Sequence, residues 1–472
     1  MASSRISTKT ARAISAIIDQ RKAVIHSAVP HFCKISRHYH SLTAPAMTSK
    51  LANTAAKGVP FFTPAQSPPQ GTPLDAKTAP TLFTPLTTRG VTAHNRFVVS
   101  PMCTYAASNG HLSDWHIAHL GQFALGGAGT IFVEATAIEA RGRISPEDSG
   151  LWLDSQIEPL RRIVDVIHSQ GGLAGIQIGH AGRKASTIAP WLGGTTDKQV
   201  ADASIGGWPD DVVAPSPIPY ADDHAPPKAL TVEEIKGLVQ KMADSAQRAV
   251  KAGFDIIEVH GAHGYLHNNF LSPISNARTD QYGGSFENRT RFLIESIQAV
   301  RAVVPESMPV WLRISATEWM DHTGQPSWDL EQSIRLAKLL PGLGIDVLDV
   351  SSAGNTPLSR IPPHTRYQTD LAGAIRTAVR EAGLELKIAA VGKITEAEMA
   401  RELVEEGKPV ERNGSGKVEV EGDHGVTQAD LILAARQFLR DPQWVFNVAT
   451  ELGVAVKWPN QYERAARRPR KL

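Results

Sequence analysis

The run His260-Gly-Ala-His263-Gly-Tyr265 presents two imidazoles and a phenol at the end of an apolar stretch. Two histidines at this spacing can bind a metal, donate a pair of hydrogen bonds to one oxygen, or serve as ordinary polar residues near a strand end. No third metal ligand of matching geometry stands out. Arg313 is more telling, because it lies in the middle of Val310-Trp-Leu-Arg-Ile-Ser315 and a buried guanidinium needs an anionic or strongly polar partner. Either it closes a structural ion pair, or its charge faces a ligand that becomes negative during turnover. Gly392 and Arg436 each follow an apolar run, where barrels commonly hold a phosphate.

These residues can meet only if the runs that precede them end side by side. Short β-branched runs alternate with longer segments of helical periodicity, the pattern of parallel strands buried on both faces and covered by helices. The strands are read at Arg96–Met102, Thr130–Thr136, Leu173–His180, Asp255–Ala262, Val310–Ser315, Asp346–Ser351, Lys387–Val391 and Asp430–Ala434. Between the third and fourth, Thr231 to Ala252 has amphipathic spacing, a capping box of Thr231 with Glu234, and Gly253 as its stop. Eight such units favour a single closed (β/α)8 TIM barrel over an open doubly wound sheet, and no GxGxxG follows the first strand. The strand ends are rich in polar residues: Ser100, Cys103, Glu134, Gln177, His180, His260, His263, Arg313, Ser351, Ser352 and Arg436. Two connections are long, Ala181 to Leu230, expected to cover the site, and Gly407 to Gln428, expected as a surface insertion.

Composition narrows the rest. The 472 residues carry a net charge of +2 with no basic face that marks a nucleic-acid protein, and no apolar stretch long enough to span a membrane. Cys33 and Cys103 are the only cysteines, which excludes a disulfide framework, a cysteine-rich zinc site and an ordinary iron–sulfur cluster. Asp19 is the only acid in the first 60 residues, among many basic, Ser and Ala residues, so this stretch reads as a transit peptide or a disordered extension. Met47 can begin a shorter form, leaving both mitochondrial and cytoplasmic localisation open. From Lys57 to Pro80 the chain reads as a linker that cannot bury enough apolar surface to order itself. The expected organisation is an extension and linker over residues 1–80 and the barrel over 81–472.

An ordered set of motifs then carries a resemblance: Ser100-Pro-Met-Cys-Thr-Tyr105, Val133-Glu-Ala-Thr136, Gln177-Ile-Gly-His-Ala-Gly-Arg-Lys184, His260-Gly-Ala-His-Gly-Tyr-Leu266, Leu271-Ser-Pro-Ile-Ser-Asn276 and Arg278-Thr-Asp-Gln-Tyr-Gly-Gly-Ser-Phe-Glu-Asn-Arg289. From about Leu82 to Arg464 the chain resembles the Old Yellow Enzyme family of FMN-dependent ene-reductases. Cys103 with His263 is similar to its thermophilic-like branch. The resemblance implies an FMN oxidoreductase that takes hydride from NADPH or NADH. Flavin N5 would deliver it to the activated C=C of α,β-unsaturated carbonyl or nitro compounds.

By the same resemblance, Ser100, Pro101, Met102, Cys103, Ala135 and Gln177 would line the flavin, with Gln177 at its pyrimidine edge and Arg313 beside N1 and O2. Gly392, Ala435 and Arg436 would meet the phosphate. His260 and His263 would bond the substrate carbonyl, Tyr265 would protonate the α-carbon, and Tyr105 would help hold the substrate. Gln461-Tyr-Glu-Arg464 is similar to the segment by which this branch reaches a neighbouring active site with an arginine, which implies a homo-oligomer. The family usually has Gly-Arg where this chain has Ala435-Arg436, a methyl group where backbone approaches phosphate. Competing readings are a dihydroorotate or dihydrouridine type of oxidoreductase, and a flavin-binding barrel without turnover.

Overall fold

A strand buried on both faces can satisfy its backbone only against another strand, and a row of such strands has no edge left to expose once it closes on itself. The computed structural model describes residues 52–193, 198–405 and 427–466. In it the apolar runs become β1 (Phe97–Val99), β2 (Thr130–Ala137), β3 (Leu173–Gly179), β4 (Ile256–Gly261), β5 (Val310–Ser315), β6 (Val347–Ser351), β7 (Lys387–Val391) and β8 (Leu431–Ala434). They pair in parallel, and Ile432–Ala434 against Phe97–Val99 closes the ring. The helices between and after them are α1 (Asp114–Leu125), α2 (Ile157–Ser169), α3 (Val232–Ala252), α4 (Phe286–Val303), α5 (Leu330–Leu339), α6 (Thr369–Glu381), α7 (Ala397–Val404) and α8 (Trp444–Glu451). The fold is therefore the (β/α)8 barrel.

β5 and β7 have the bounds read from sequence, whereas β1 is shorter than Arg96–Met102. Pro101 has no N–H with which to extend a ladder. The Arg96 side chain turns instead to the Asp430 carbonyl, 3.0 Å away. α3 begins at the expected capping box, with the Glu234 N–H donating to Thr231 Oγ1 at 3.2 Å and the Thr231 N–H to Glu234 Oε2 at 2.9 Å.

Side chains alternate along each strand, so every second residue faces the lumen. Near the strands' N-terminal ends these are apolar: Val98, Phe132, Ile256, Trp311, Val347, Ala389, Leu431 and Leu433 form their own cluster. A short antiparallel hairpin, Leu86–Thr88 with Val91–Ala93, packs Leu86 and Val91 against it. The alternate residues, such as Ile257, Val259, Leu312 and Ile314, face outward into a larger core shared with the helices. One step further up the lumen, on β3 to β6, the apolar character stops.

Residues 57–80, expected as an unordered linker, are ordered against the barrel. The Gly71 and Leu74 N–H groups donate to the Lys457 and Ala455 carbonyls, and the Lys457 N–H returns a bond to Thr72, each at 2.8 Å. Gln70 is buried and donates to the Ala124 carbonyl at 2.6 Å. The segment is poor in apolar residues because a distant part of the chain supplies its backbone partners. The N-terminal targeting-like stretch, Cys33, and residues 407–426 of the insertion lie outside the described residues. Among the described residues no helix is long and apolar enough to cross a membrane.

Candidate active site

Above the apolar layer, β3, β4, β5 and β6 present Gln177, Glu258, Arg313 and Asp349 to the lumen, all buried. Strand register sets who meets whom: Gln177 lies opposite Glu258, and Arg313 opposite Asp349. Arg313 Nε donates to Asp349 Oδ2, and its Nη2 donates to Ser100 Oγ at 2.7 Å. Gln177 Nε2 donates to Glu258 Oε1 at 2.7 Å, and that oxygen is 3.9 Å from Arg313 Nε. Burial works against the guanidinium's charge, but the two carboxyls outweigh it and hold Arg313 protonated. Of the two roles the sequence leaves open for Arg313, the structure shows the ion pair directly. The same side chain reaches Ser100 at the lumen mouth.

The next lumen position on each strand forms the mouth. The His260 ring packs edge to face on His263, with centroids 5.3 Å apart, and on Tyr265 at 4.8 Å. Gly179 faces them from β3, where a Cβ would come within 2.9 Å of His260 Cβ, so only glycine leaves the imidazole its place. His260 Nδ1 accepts the Ala262 N–H at 3.2 Å, which leaves its Nε2 as the donor. His263 Nε2 pairs with Ser351 Oγ at 2.7 Å, so the two imidazoles are not equivalent. Burial, with the positive charge of Arg313 and Lys184, pushes His260 well below the ordinary imidazole range and His263 down to about 3. Both are neutral near pH 7. Burial pushes the Tyr265 phenol up, so it keeps its proton.

Lys184, to which the sequence reading gives no role, holds this corner together. Its Nζ donates to the His263 carbonyl at 3.0 Å and the Gly354 carbonyl at 2.8 Å, and lies 5.6 Å from the Tyr265 ring centroid. Burial brings its ammonium down to about 8. Backbone strain gathers here too. Tyr105, His263 and Ala353 have φ of 53°, 61° and 62°, a conformation that costs a side-chain-bearing residue on the order of 1–3 kcal/mol and clusters at functional sites.

After β1, Pro101, Met102, Cys103 and Tyr105 are half-buried along the mouth. Burial, then the charges of Asp148 and Glu134, raise the Cys103 thiol well above its usual range and keep it neutral. Glu134 anchors the following residue, accepting from the Thr104 N–H at 3.3 Å and its hydroxyl at 2.8 Å. The strand register shifts between Val133 and Ala135, and Ala135 lines a cavity with Gly179, His260 and Tyr265.

On the opposite side, Gly392 has φ of +115°, and a Cβ there would sit 2.8 Å from Gln368 Nε2. Ala435 precedes the short helix Arg436–Arg440, and Arg436 is exposed. Arg436 and Lys393 both act on Tyr367; the Lys393 ammonium is 5.2 Å from that ring. Lys393 is a second cation beside the phosphate candidates that the sequence reading did not single out.

The described parts of the connection from Ala181 to Leu230 reach the site from two sides. Trp191 meets Tyr105 edge to face at 5.5 Å. Buried Arg183 ties the connection to the end of β6, donating to Asn355 Oδ1 at 3.2 Å and to the Ile218 and Pro219 carbonyls at 3.3 and 3.2 Å. Arg464 is not brought to this mouth. Gln461 and Tyr462 line a groove on α1 and α2 with Phe61 and Phe62, and Arg464 is exposed two residues on. Glu258 and Asp349 also went unread, although the argument that flags Arg313, a charge inside an apolar run, applies to both.

The site can bind a planar anion-forming group against Arg313 and Gln177, and offer neutral donors to an oxygen above it. Residues 81–410 match the model of the NADH:flavin oxidoreductase / NADH oxidase family. The chain is 44% identical over 420 residues to NADH:flavin oxidoreductase FG08077 of Gibberella zeae, covering 87% of this chain and 95% of that one. It is 39% identical over 388 residues to an NADPH dehydrogenase of a Geobacillus species, covering 82% and 98%. Among solved structures, morphinone reductase in complex with tetrahydroNAD aligns with a TM-score of 0.59 at 26% identity, over 81% of this chain and 93% of that one.

Proposed function

This chain belongs to the NADH:flavin oxidoreductase / NADH oxidase family, which is the Old Yellow Enzyme family of the motifs, and from that premise we propose that it is an ene-reductase acting on α,β-unsaturated carbonyl or nitro compounds. It is an enzyme with FMN as cofactor and a nicotinamide dinucleotide as hydride donor. The residues present fit FMN. The amide nitrogen of Gln177 is spent on Glu258, which leaves its oxygen to accept from a ring N–H. Two cations, Lys393 and Arg436, stand at the far end beside the Gly392 turn. Ser100, Pro101, Met102, Cys103, Ala135, Gln177 and Arg313 would hold the ring, and Gly392, Ala435 and Arg436 the phosphate. When bound, FMN supplies a reversible hydride carrier.

The observation that carries the reading is the packing of two neutral imidazoles and a protonated phenol, ring to ring, with His260 in register beside Arg313 on the neighbouring strand. His260 and His263 donate hydrogen bonds to a substrate oxygen, and donors fixed before reaction can lower a barrier by about 3–4 kcal/mol each. For this His263 must leave Ser351 or use its other ring nitrogen. Tyr265 gives its proton to the α-carbon, and Lys184 places a positive charge beside the phenol that is left. Tyr105, pressed by Trp191, closes one side of the substrate space. Arg464, exposed and far from this mouth along the chain, would serve the mouth of a second copy in a homo-oligomer.

The test is a stopped-flow mixing of the anaerobically reduced protein with 2-cyclohexenone and with a nitroalkene. Return of the oxidised flavin spectrum in proportion to alkene reduced is expected. A protein that NADPH reduces but no such alkene reoxidises would overturn the ene-reductase reading. Phenol ligands, which mimic an enolate oxygen, should perturb the flavin spectrum of the native protein and fail to do so in His260→Ala.

A further inference from the structure

We infer that Glu258 and Asp349 act as one acid pair, holding a shared proton beneath Arg313 and drawing it from solvent when negative charge is placed on the flavin beside that guanidinium. The inference rests on the FMN reading above.

The three groups stand on consecutive strands: Glu258 and Asp349 are fully buried and Arg313 nearly so. Arg313 Nε bonds Asp349 Oδ2, and Glu258 Oε1 takes its hydrogen from Gln177. The remaining oxygens, Glu258 Oε2 and Asp349 Oδ1, are sealed and receive no hydrogen bond from another group among the described residues. The two carboxyls interact directly with each other. A single proton shared by the pair would turn that contact from a repulsion into a hydrogen bond. It also matters for charge. With both carboxyls ionised, the trio carries −1 in a dry lumen; with one proton it is neutral.

Two carboxyls that share a site cannot both ionise easily, and the first proton lost belongs to the pair rather than to either residue. Burial foremost, against Arg313 and with the charge of Asp349, pushes Glu258 up, and burial raises Asp349 as well. The surroundings add little competing charge. β3 contributes the neutral Gln177, β4 the neutral His260 one position higher, β5 Arg313, β6 Ser351, and β7 Ala389 and Ala390. Ser100 completes the ring from β1.

Transfer of a hydride to FMN adds two electrons and one proton and would leave one negative charge beside Arg313. Where the pair still holds its proton in the oxidised protein, nothing more is taken up. At higher pH, where the oxidised protein has lost that proton, reduction recovers it from water, for a total of two electrons and two protons.

Potentiometric titration of the FMN-loaded protein across roughly pH 6 to 10 tests this. One proton per two electrons changes the equilibrium constant tenfold per pH unit, which is about 30 mV, and two protons change it a hundredfold, about 60 mV. The native protein should show the first slope toward the acid end of this range and the second toward its alkaline end. Glu258→Gln and Asp349→Asn should each keep the first slope throughout. A single unbroken slope in the native protein overturns the inference. Proton counting with an indicator dye on the native protein needs no variant to fold. Uptake rising from one toward two protons per flavin as pH is raised is expected, and uptake of one at every pH overturns it. Failure to take up FMN at all would instead fell the flavin reading, and this inference with it.

Discussion

Ile256, Trp311 and Val347 lie one lumen position below Glu258, Arg313 and Asp349 on the same three strands. The lower trio is held by dispersion and exclusion from water, which add up over many contacts and degrade gradually when atoms are removed. The upper trio is held by compensation between charges, and removing any one member strands the others in a medium that cannot solvate them. One barrel thus contains a layer that tolerates change and a layer that does not, and the intolerant one lies against the chemistry.

The strongest way to break this comparison is Arg313→Ala. Two buried carboxyls would lose their cation, and stability should fall by about 3–5 kcal/mol in denaturant titrations, with FMN binding lost as well. Next comes the mouth. His260→Ala should slow reoxidation of the reduced protein by enones about 10²–10³-fold while reduction by NADPH changes far less. Because both imidazoles are neutral near pH 7, with His263 at about 3, the native reoxidation rate should show no limb near the ordinary imidazole value. A limb there would mean a charged imidazole at the mouth and a different mechanism.

The lower layer gives a smaller effect of another kind. Ile256→Val should cost about 0.5–1.5 kcal/mol and leave both half-reactions at native rates. A changed reoxidation rate would show that the two layers are not separable. Smallest is a charge cluster outside the lumen, where Glu139 accepts from His180 at 3.0 Å and from Arg141 at 2.7 Å, with Lys241 also bound. Burial would raise this carboxyl, but His180, Lys241 and Arg141 hold it below the usual range. Its folded pKa lies below its unfolded one, so its stabilisation is complete above the ordinary carboxylate range and is lost as pH falls through the folded value. Glu139→Gln should flatten that acid loss in a melting series, with rates at neutral pH unchanged.

Much of this was open to reading in one dimension. Val310–Ser315 and Lys387–Val391 are strands because β-branched runs buried on both faces fit little else, and α3 starts and stops where Thr231, Glu234 and Gly253 direct. His260, His263, Tyr265 and Arg313 were legible as chemistry because each is a costly residue in an apolar setting. Lys184 was harder, since a lysine in a glycine-rich turn carries no sign that it will bind the His263 and Gly354 carbonyls. The segment 57–80 misleads for the opposite reason: its composition describes what it lacks, and its partners lie near Lys457.

The sequence by itself determined the barrel, its strand order and the side chains able to do redox chemistry, because period and burial are local properties of a chain. Only the tertiary structure decided that Arg313 meets Asp349, that Glu258 faces Gln177, and that one buried oxygen of each carboxyl is left without a partner. Register between strands far apart in sequence brings these charges together. No local pattern encodes it, because electrostatic energy depends on distance in space and on the water excluded from between the groups.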